Sequence, residues 1–419
     1  MTAVSLSGTE NEDAVSADMN ALQKKLADIM SGFGLKGLGL HDSFYDHGAD
    51  SLILAQATGG IRDKILKEIP FDTLLRFMLN HPNLQELSEF VAEKRGDTPE
   101  NQEHVSANSA HIGAPTLYQA GKGPLRVVFH AAFGTMNSLR YVIEELVKQQ
   151  KGDVLAIALG DADKYYKMDR ETAIQQLADD YTQIILETGA EQIQLIGYCF
   201  GGWLATQCAN RLVEHGKEIV DVILIDSQTV PWIIEDRLMI ELMFLPNFSI
   251  TLEDLEVFAN CEKPNLETMF VELIQTYGKI PEPLHPVLKN MEGCADFAEG
   301  MKALSEIDFH ERFRLYAEYG SRKTGEQLSP AMLEGVFKAY CQTIRCCNGE
   351  MESYFGDIRF LNAKDNSNMF YSKDKNISYW SELCIGDMKI TDVAGDHYSC
   401  VENPENAAEV CRLIADYES

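Results

Sequence analysis

From Ala17 to about Arg95, apolar residues recur at three- and four-residue spacing, the period of an amphipathic helix. Leu22, Leu26, Ile29 and Met30 mark a first helix, followed by a loop holding Gly32, Gly34, Gly37 and Gly39. Ser51 opens a second periodic run through Ile61 and Ile65, and shorter segments lie around Leu74–Leu79 and Leu84–Val91. The pattern predicts a four-helix domain over residues 19–95. The polar residues 1–18 before it read as a disordered lead-in. Residues 96–115 are rich in Pro, Ser, Asn, Gly and charge and read as a linker.

The period changes from Thr116 onward. Short apolar runs at Leu125–Phe129, Asp153–Leu159, Gln192–Ile196 and Val220–Ile225 predict strands. They alternate with helical patterns over Leu139–Gln149, Arg170–Thr188 and Phe200–His215. Such alternation predicts a parallel sheet covered on both faces. After Asp226 the alternation stops, and residues of about 229–350 read as helical and loop-rich. Strands resume at Ile358–Leu361 and Lys389–Val393, and a last helix covers Asn406–Tyr417. The fold class is α/β, with residues 116–419 as one domain and the helical insertion as a lid over the strands' C-terminal ends.

Composition narrows the partners. A net charge of −29 argues against nucleic acid and anionic membranes as binding surfaces. No basic, apolar targeting segment opens the chain. The most apolar stretch, Trp232–Phe248, is broken by Glu235, Asp236, Arg237 and Glu241 and is a poor membrane span. It reads as a lid helix whose apolar face lines a substrate tunnel, packs in the core or pairs in a homodimer. The ten cysteines follow no CxxC framework, which predicts reduced thiols, a cytoplasmic setting and no metal site.

Candidate chemistry sits after the third predicted strand of the sheet. Gly197-Tyr198-Cys199-Phe200-Gly201 is the cysteine form of the G-x-S-x-G nucleophile elbow, with an apolar strand before it and a helix after it. Small residues are needed where the strained turn brings backbones together. A buried structural cysteine is the alternative reading. The helix N-terminus behind Cys199 favours thiolate. Asp226 ends a strand on the same face, as the acid of a triad or as a helix cap. His397 follows the last predicted strand and a glycine turn, as the base or as an exposed turn residue. His130, before the nucleophile, suits the oxyanion loop better. The N–H groups of Phe200 and Ala132 are the expected oxyanion hole.

Ser51 begins a helix after Gly48-Ala49-Asp50, where an N-cap serine and a nearby aspartate suffice as a structural explanation. The segment nevertheless resembles acyl and peptidyl carrier proteins, whose (G/A)-D-S-L motif starts the second helix. Phe44 and Asp46 match the approach to that motif, and His81-Pro82 and Leu84 match the approach to the last helix. The resemblance implies 4′-phosphopantetheine attached to Ser51 and a phosphopantetheinyl transferase as partner.

Residues 116–419 resemble the type I thioesterases that end nonribosomal peptide and polyketide synthases. Gly197–Gly201, Asp226 and Gly395-Asp396-His397-Tyr398-Ser399 carry the likeness, together with Tyr379-Trp380 and the loop after Phe129. Cysteine stands where that family usually has serine, and the lid is larger than usual. The resemblance implies an α/β-hydrolase fold, an acyl or peptidyl thioester substrate and upstream synthase modules. It implies release by hydrolysis, cyclisation or transfer to an amine or hydroxyl, as in antibiotic biosynthesis. Three alternatives remain: an acyltransferase shuttling chains between carriers, a stand-alone cysteine hydrolase, and a non-catalytic carrier and docking protein.

Overall fold

A computed structural model describes residues 21–49, 51–66, 69, 71–95, 111–230, 232–248, 250–259, 261, 264–324, 328–347, 351–365 and 373–416. The lead-in 1–18, Asp50 and residues 96–110 of the expected linker lie outside them. The chain divides into two compact units, the second opening at His111.

The first unit contains α1 (Ala21–Gly32), α2 (Ser51–Lys64), α3 (Phe71–Asn80) and α4 (Leu84–Arg95). The apolar positions that set the helical period are its core: Leu26, Met30, Leu54, Ile61, Leu74 and Leu87 are all fully buried. Phe44 is buried too and donates its N–H to the Pro82 carbonyl at 2.6 Å. The loop before α2 is thereby tied to the loop before α4. Gly48, with φ 88°, takes the left-handed turn just ahead of α2, a conformation glycine adopts without steric cost.

The second unit is built on a seven-stranded sheet of order β1-β3-β2-β4-β5-β6-β7. The strands are β1 (Gly113–Tyr118), β2 (Leu125–Phe129), β3 (Val154–Leu159), β4 (Gln192–Tyr198), β5 (Glu218–Ile225), β6 (Ile358–Ala363) and β7 (Met388–Val393). All neighbours pair in parallel except β1, which runs antiparallel to β3 at an edge. β2 and β3 are buried at every position, as strands covered on both faces must be. Helices α5 (Arg140–Lys148), α6 (Ala173–Glu187) and α7 (Gly201–Glu214) provide crossovers. This is the α/β-hydrolase architecture.

β1 corrects the expected boundary, because it begins at Gly113, inside the segment whose composition suggested a linker. An edge strand tolerates Pro115 and needs apolar residues on one face only, so its signal is faint. The insertion between β5 and β6 is helical among its described residues, as expected, but Trp232–Phe248 is not one helix. The helix α8 spans Arg237–Phe244 because the Asp236 side chain accepts from the Met239 N–H at 2.7 Å and caps it. A 3-10 turn, Leu245–Phe248, follows. Later lid helices include α9 (Leu266–Tyr277), α10 (Ala295–Ser305), α11 (Phe309–Thr324) and α12 (Pro330–Cys346), the last belonging to this unit from Glu334 onward. Between β6 and β7 lies α13 (Lys373–Leu383), and α14 (Pro404–Ala415) closes the sheet's other face. Among the described residues no helix is long and apolar enough to cross a membrane.

Candidate active site

The turn between β4 and α7 is built on close backbone approach. A Cβ on Gly197 would lie 2.3 Å from the Gly201 carbonyl oxygen, and one on Gly202 would lie 2.0 Å from Ser227 Oγ. On Gly201 it would come within 2.9 Å of the Phe129 carbonyl. The spacing of glycines in the motif thus follows from backbone contacts that no methyl group can enter. Between them Cys199 is held at φ 54°, a left-handed value that a non-glycine residue keeps only where surrounding contacts impose it. One such contact is its own N–H, which donates to the Ile225 carbonyl at 3.2 Å.

Asp226 follows β5 and is also left-handed, at φ 40°. Its N–H donates to the Leu361 carbonyl at 2.8 Å, and its Oδ1 accepts from the Ala363 N–H at 3.2 Å. Gln228 Nε2 donates to Oδ2 at 3.3 Å. The ends of β5 and β6 therefore aim this carboxylate. His397 lies in the turn after β7 and donates from Nδ1 to Asp226 Oδ2 at 2.7 Å, and both side chains are buried. The His397 ring is also in hydrogen-bond contact with the Cys199 side chain. Burial works against the imidazolium, but the adjoining Cys199 sulfur and the Asp226 carboxylate outweigh it. They push the His397 pKa up to about 10. The structure thus brings Cys199, His397 and Asp226 into one contiguous chain of contacts.

The turn that holds His397 is reinforced from both sides. Gly395 takes φ 87°, and Asp396 Oδ1 accepts from the Ser399 N–H at 2.8 Å. Tyr198, the residue before Cys199, donates its hydroxyl to the His397 carbonyl at 2.7 Å. Its ring stacks on the imidazole with centroids 5.0 Å apart. Sequence reasoning passed over Tyr198, although it stands inside the motif. Cys400 is fully buried, with its sulfur against the His397 carbonyl at 3.3 Å.

The loop after β2 faces the elbow. Neither Phe200 nor Ala132 donates its N–H to a backbone carbonyl among the described residues. Both residues line a cavity of about 510 Å³ that also exposes Cys199 and His397. His130 is buried apart from the cavity wall. It bonds the Ala131 carbonyl and the Tyr181 hydroxyl, each at 2.8 Å, and so orders this loop from behind. The lid supplies another part of the wall, including Met243, Asn247, Tyr340, Ile344 and Cys347. Met243 belongs to the apolar face of Trp232–Phe248 for which a tunnel, core or dimer role was expected; Asn247, Tyr340, Ile344 and Cys347 were not identified from the sequence, where the lid offered only helical periodicity. A second cavity of about 430 Å³ lies within the lid around Glu241 and Arg312, which pair at 2.6 and 2.8 Å.

In the first unit, Ser51 is the first residue of the 14-residue helix α2. A phosphodiester fits there: first-turn N–H groups lack intrahelical partners, and the positive helix end favours anionic charge.

Comparison with known proteins agrees with both units. Residues 127–240 match the family model for a thioesterase domain, and residues 21–91 match that for a phosphopantetheine attachment site. Pyochelin synthetase PchF of Pseudomonas aeruginosa (strain UCBPP-PA14) is 25% identical over 386 residues, covering 87% of this chain and 20% of that protein. The non-reducing polyketide synthase aoiG of Aspergillus oryzae is 26% identical over 200 residues, covering 47% of this chain and 9% of that one. The chain thus spans about a fifth or less of the length of these relatives. Among solved structures, a four-domain nonribosomal peptide synthetase, holo-AB3403, aligns with 95% of this chain and 26% of its own, at 18% identity and TM-score 0.49. The Vlm2 thioesterase domain aligns with 72% of this chain and 97% of its own, at 17% identity and TM-score 0.38. The chain therefore joins a carrier domain of the kind that bears covalent 4′-phosphopantetheine to a thioesterase domain of the α/β-hydrolase type.

Proposed function

We propose that this chain takes an acyl or peptidyl group presented as a thioester on Ser51, moves it to Cys199, and releases it in natural-product biosynthesis. The observation that carries this reading is the contact chain Cys199–His397–Asp226 opening into the cavity of about 510 Å³. Bound at Ser51, 4′-phosphopantetheine supplies a flexible arm with a terminal thiol. Upstream synthase modules load that arm, and a phosphopantetheinyl transferase installs it. The relatives' names, pyochelin synthetase and non-reducing polyketide synthase, support a place in natural-product biosynthesis.

In the first half-reaction the Cys199 sulfur attacks the thioester carbonyl. The N–H groups of Phe200 and Ala132 receive the oxyanion, and the departing thiol takes its proton from His397. Asp226 orients the imidazole and stabilises its cation. Thioester-to-thioester exchange is nearly isoenergetic, so the acyl-cysteine stays activated. In the second half-reaction His397 removes a proton from the releasing nucleophile, and Cys199 leaves as thiolate. The releasing group is water, an amine or a hydroxyl. We favour an amine or hydroxyl of the chain itself or of a partner, because the acyl-cysteine stays activated for transfer and lid residues wall the chamber beside it.

Electrostatics give His397 both roles. The adjoining Cys199 sulfur and the Asp226 carboxylate hold its pKa near 10, so at neutral pH it is protonated and ready to act as an acid. Acylation turns the Cys199 side chain into a neutral thioester, which withdraws that support and lowers the His397 pKa, leaving a neutral base for release. Acylation is therefore expected to fall as pH rises through about 10, whereas release rises with pH on a limb displaced to lower pH. Imidazole NMR titration of free and acylated protein checks this, and an unmoved His397 resonance would refute the switch.

The function itself is tested by intact-protein mass spectrometry of the holo form mixed with an acyl-pantetheine thioester. The acyl mass should appear and map to Cys199 after digestion. Turnover with no acyl-Cys199, even under rapid quench, would overturn the reading.

A further inference from the structure

The 3-10 turn Leu245–Phe248 crosses the chamber between two loops that flank Cys199. On one side, Phe244 and Phe248 pack against Phe133 of the loop after β2, with ring centroids 6.0 and 6.2 Å apart. On the other, the Tyr398 hydroxyl donates to Asn247 Oδ1 at 3.0 Å. Asn247 is itself oriented, because its Nδ2 donates to the Phe244 carbonyl at 2.8 Å. That bond points the carboxamide oxygen toward the histidine turn. Tyr398 follows His397 directly, and its ring meets the imidazole edge-on with centroids 5.3 Å apart. Both Tyr398 and Asn247 line the chamber.

We propose that Tyr398 and Asn247 form a latch that determines how acyl-Cys199 is divided between water and another nucleophile. The proposal rests on the reading of Cys199 as the acylated residue. The aromatic contacts on the Phe133 side are non-directional and survive small displacements of the turn. The Tyr398–Asn247 bond is directional, and Tyr398 is 37% exposed, so solvent competes for it. Its rupture opens a path for water between the turn and His397, on the side where a proton would be removed. Hydrolysis and transfer share one balance of bonds. The incoming oxygen or nitrogen bonds to the carbonyl carbon, the carbon–sulfur bond to Cys199 breaks with its electron pair going to the sulfur, and His397 keeps the nucleophile's proton as the Cys199 thiolate departs. The latch acts on which nucleophile arrives, not on that balance.

The test uses the holo protein acylated with an acyl-pantetheine thioester in the presence of a fixed concentration of a small primary amine. The ratio of free acid to amide is read by mass spectrometry. Tyr398→Phe removes only the donor, and Asn247→Leu removes the acceptor while keeping the volume. Each should raise the acid-to-amide ratio about fivefold, the weight of one neutral hydrogen bond. The double variant should raise it no further, since both changes remove the same bond. Acyl-Cys199 with an unchanged ratio in Tyr398→Phe and Asn247→Leu overturns the latch alone. Absence of acyl-Cys199 in the wild type overturns the latch together with the function it rests on.

Discussion

Replacing Cys199 with alanine is expected to abolish acyl-enzyme formation and to lower kcat by about a millionfold, the loss seen when a nucleophile is removed from a triad that acts as a unit. The carrier should remain acylated, because nothing else on the elbow occupies the left-handed position from which the sulfur meets both His397 and the loop after β2. Intact mass after mixing with an acyl-thioester reads this directly: the wild type should gain acyl mass on Cys199, and Cys199→Ala should not. Cys199→Ser provides the informative contrast. Its acyl group would be an oxyester, lower in free energy than a thioester, and a weaker nucleophile would have formed it. That variant should acylate more slowly and then hold its acyl group longer than the wild type. A serine variant that released product as fast as the cysteine enzyme would show that sulfur has no special part in the second half-reaction.

Ser51→Ala should eliminate turnover of chains delivered within the protein, because no residue would remain to carry the phosphopantetheine arm. The same variant should still accept an acyl-pantetheine thioester from solution onto Cys199. Tethering places the substrate at an effective concentration on the order of millimolar, so free thioester should be needed at about that level to match the wild-type rate. Mass spectrometry after treatment with a phosphopantetheinyl transferase should show the arm's mass on the wild type and not on Ser51→Ala. Arm attachment in the variant would place the carrier site elsewhere. Loss of acylation from solution as well would show that the substitution had disturbed more than delivery.

These residues were legible to different degrees, for physical reasons. The elbow could be read because glycine at 197 and 201 answers to backbone contacts under 3 Å, which no other residue tolerates. The sheet was legible because β2, β3 and most of β4 are covered on both faces and must be apolar throughout. Asp226 and His397 could be anticipated as the ends of strands on one face, although their separation of 2.7 Å depends on the β6 backbone that aims the carboxylate. β1 was hidden because an edge strand carries half a signal. The extent of α8 was hidden because one side-chain cap at Asp236 overrode a longer apolar run. Asn247 and Tyr340 were illegible in a deeper sense. Their roles come from where the lid path passes over the sheet, and no local pattern encodes that path.

The adjacency of β5 and β6 has a consequence for how such a chain can change over time. Ile225 pairs directly with Leu361, yet everything between Ser227 and Asp357 is interposed in the sequence. The lid therefore departs from and returns to adjacent strands of one sheet, like a parenthesis inserted in a sentence whose grammar survives its removal. The acid, its β6 anchor and the nucleophile are fixed outside that parenthesis. Insertions, deletions or wholesale exchange within it can reshape the chamber while the reacting groups keep their spacing. Chain selectivity and release outcome can thus drift independently of the chemistry.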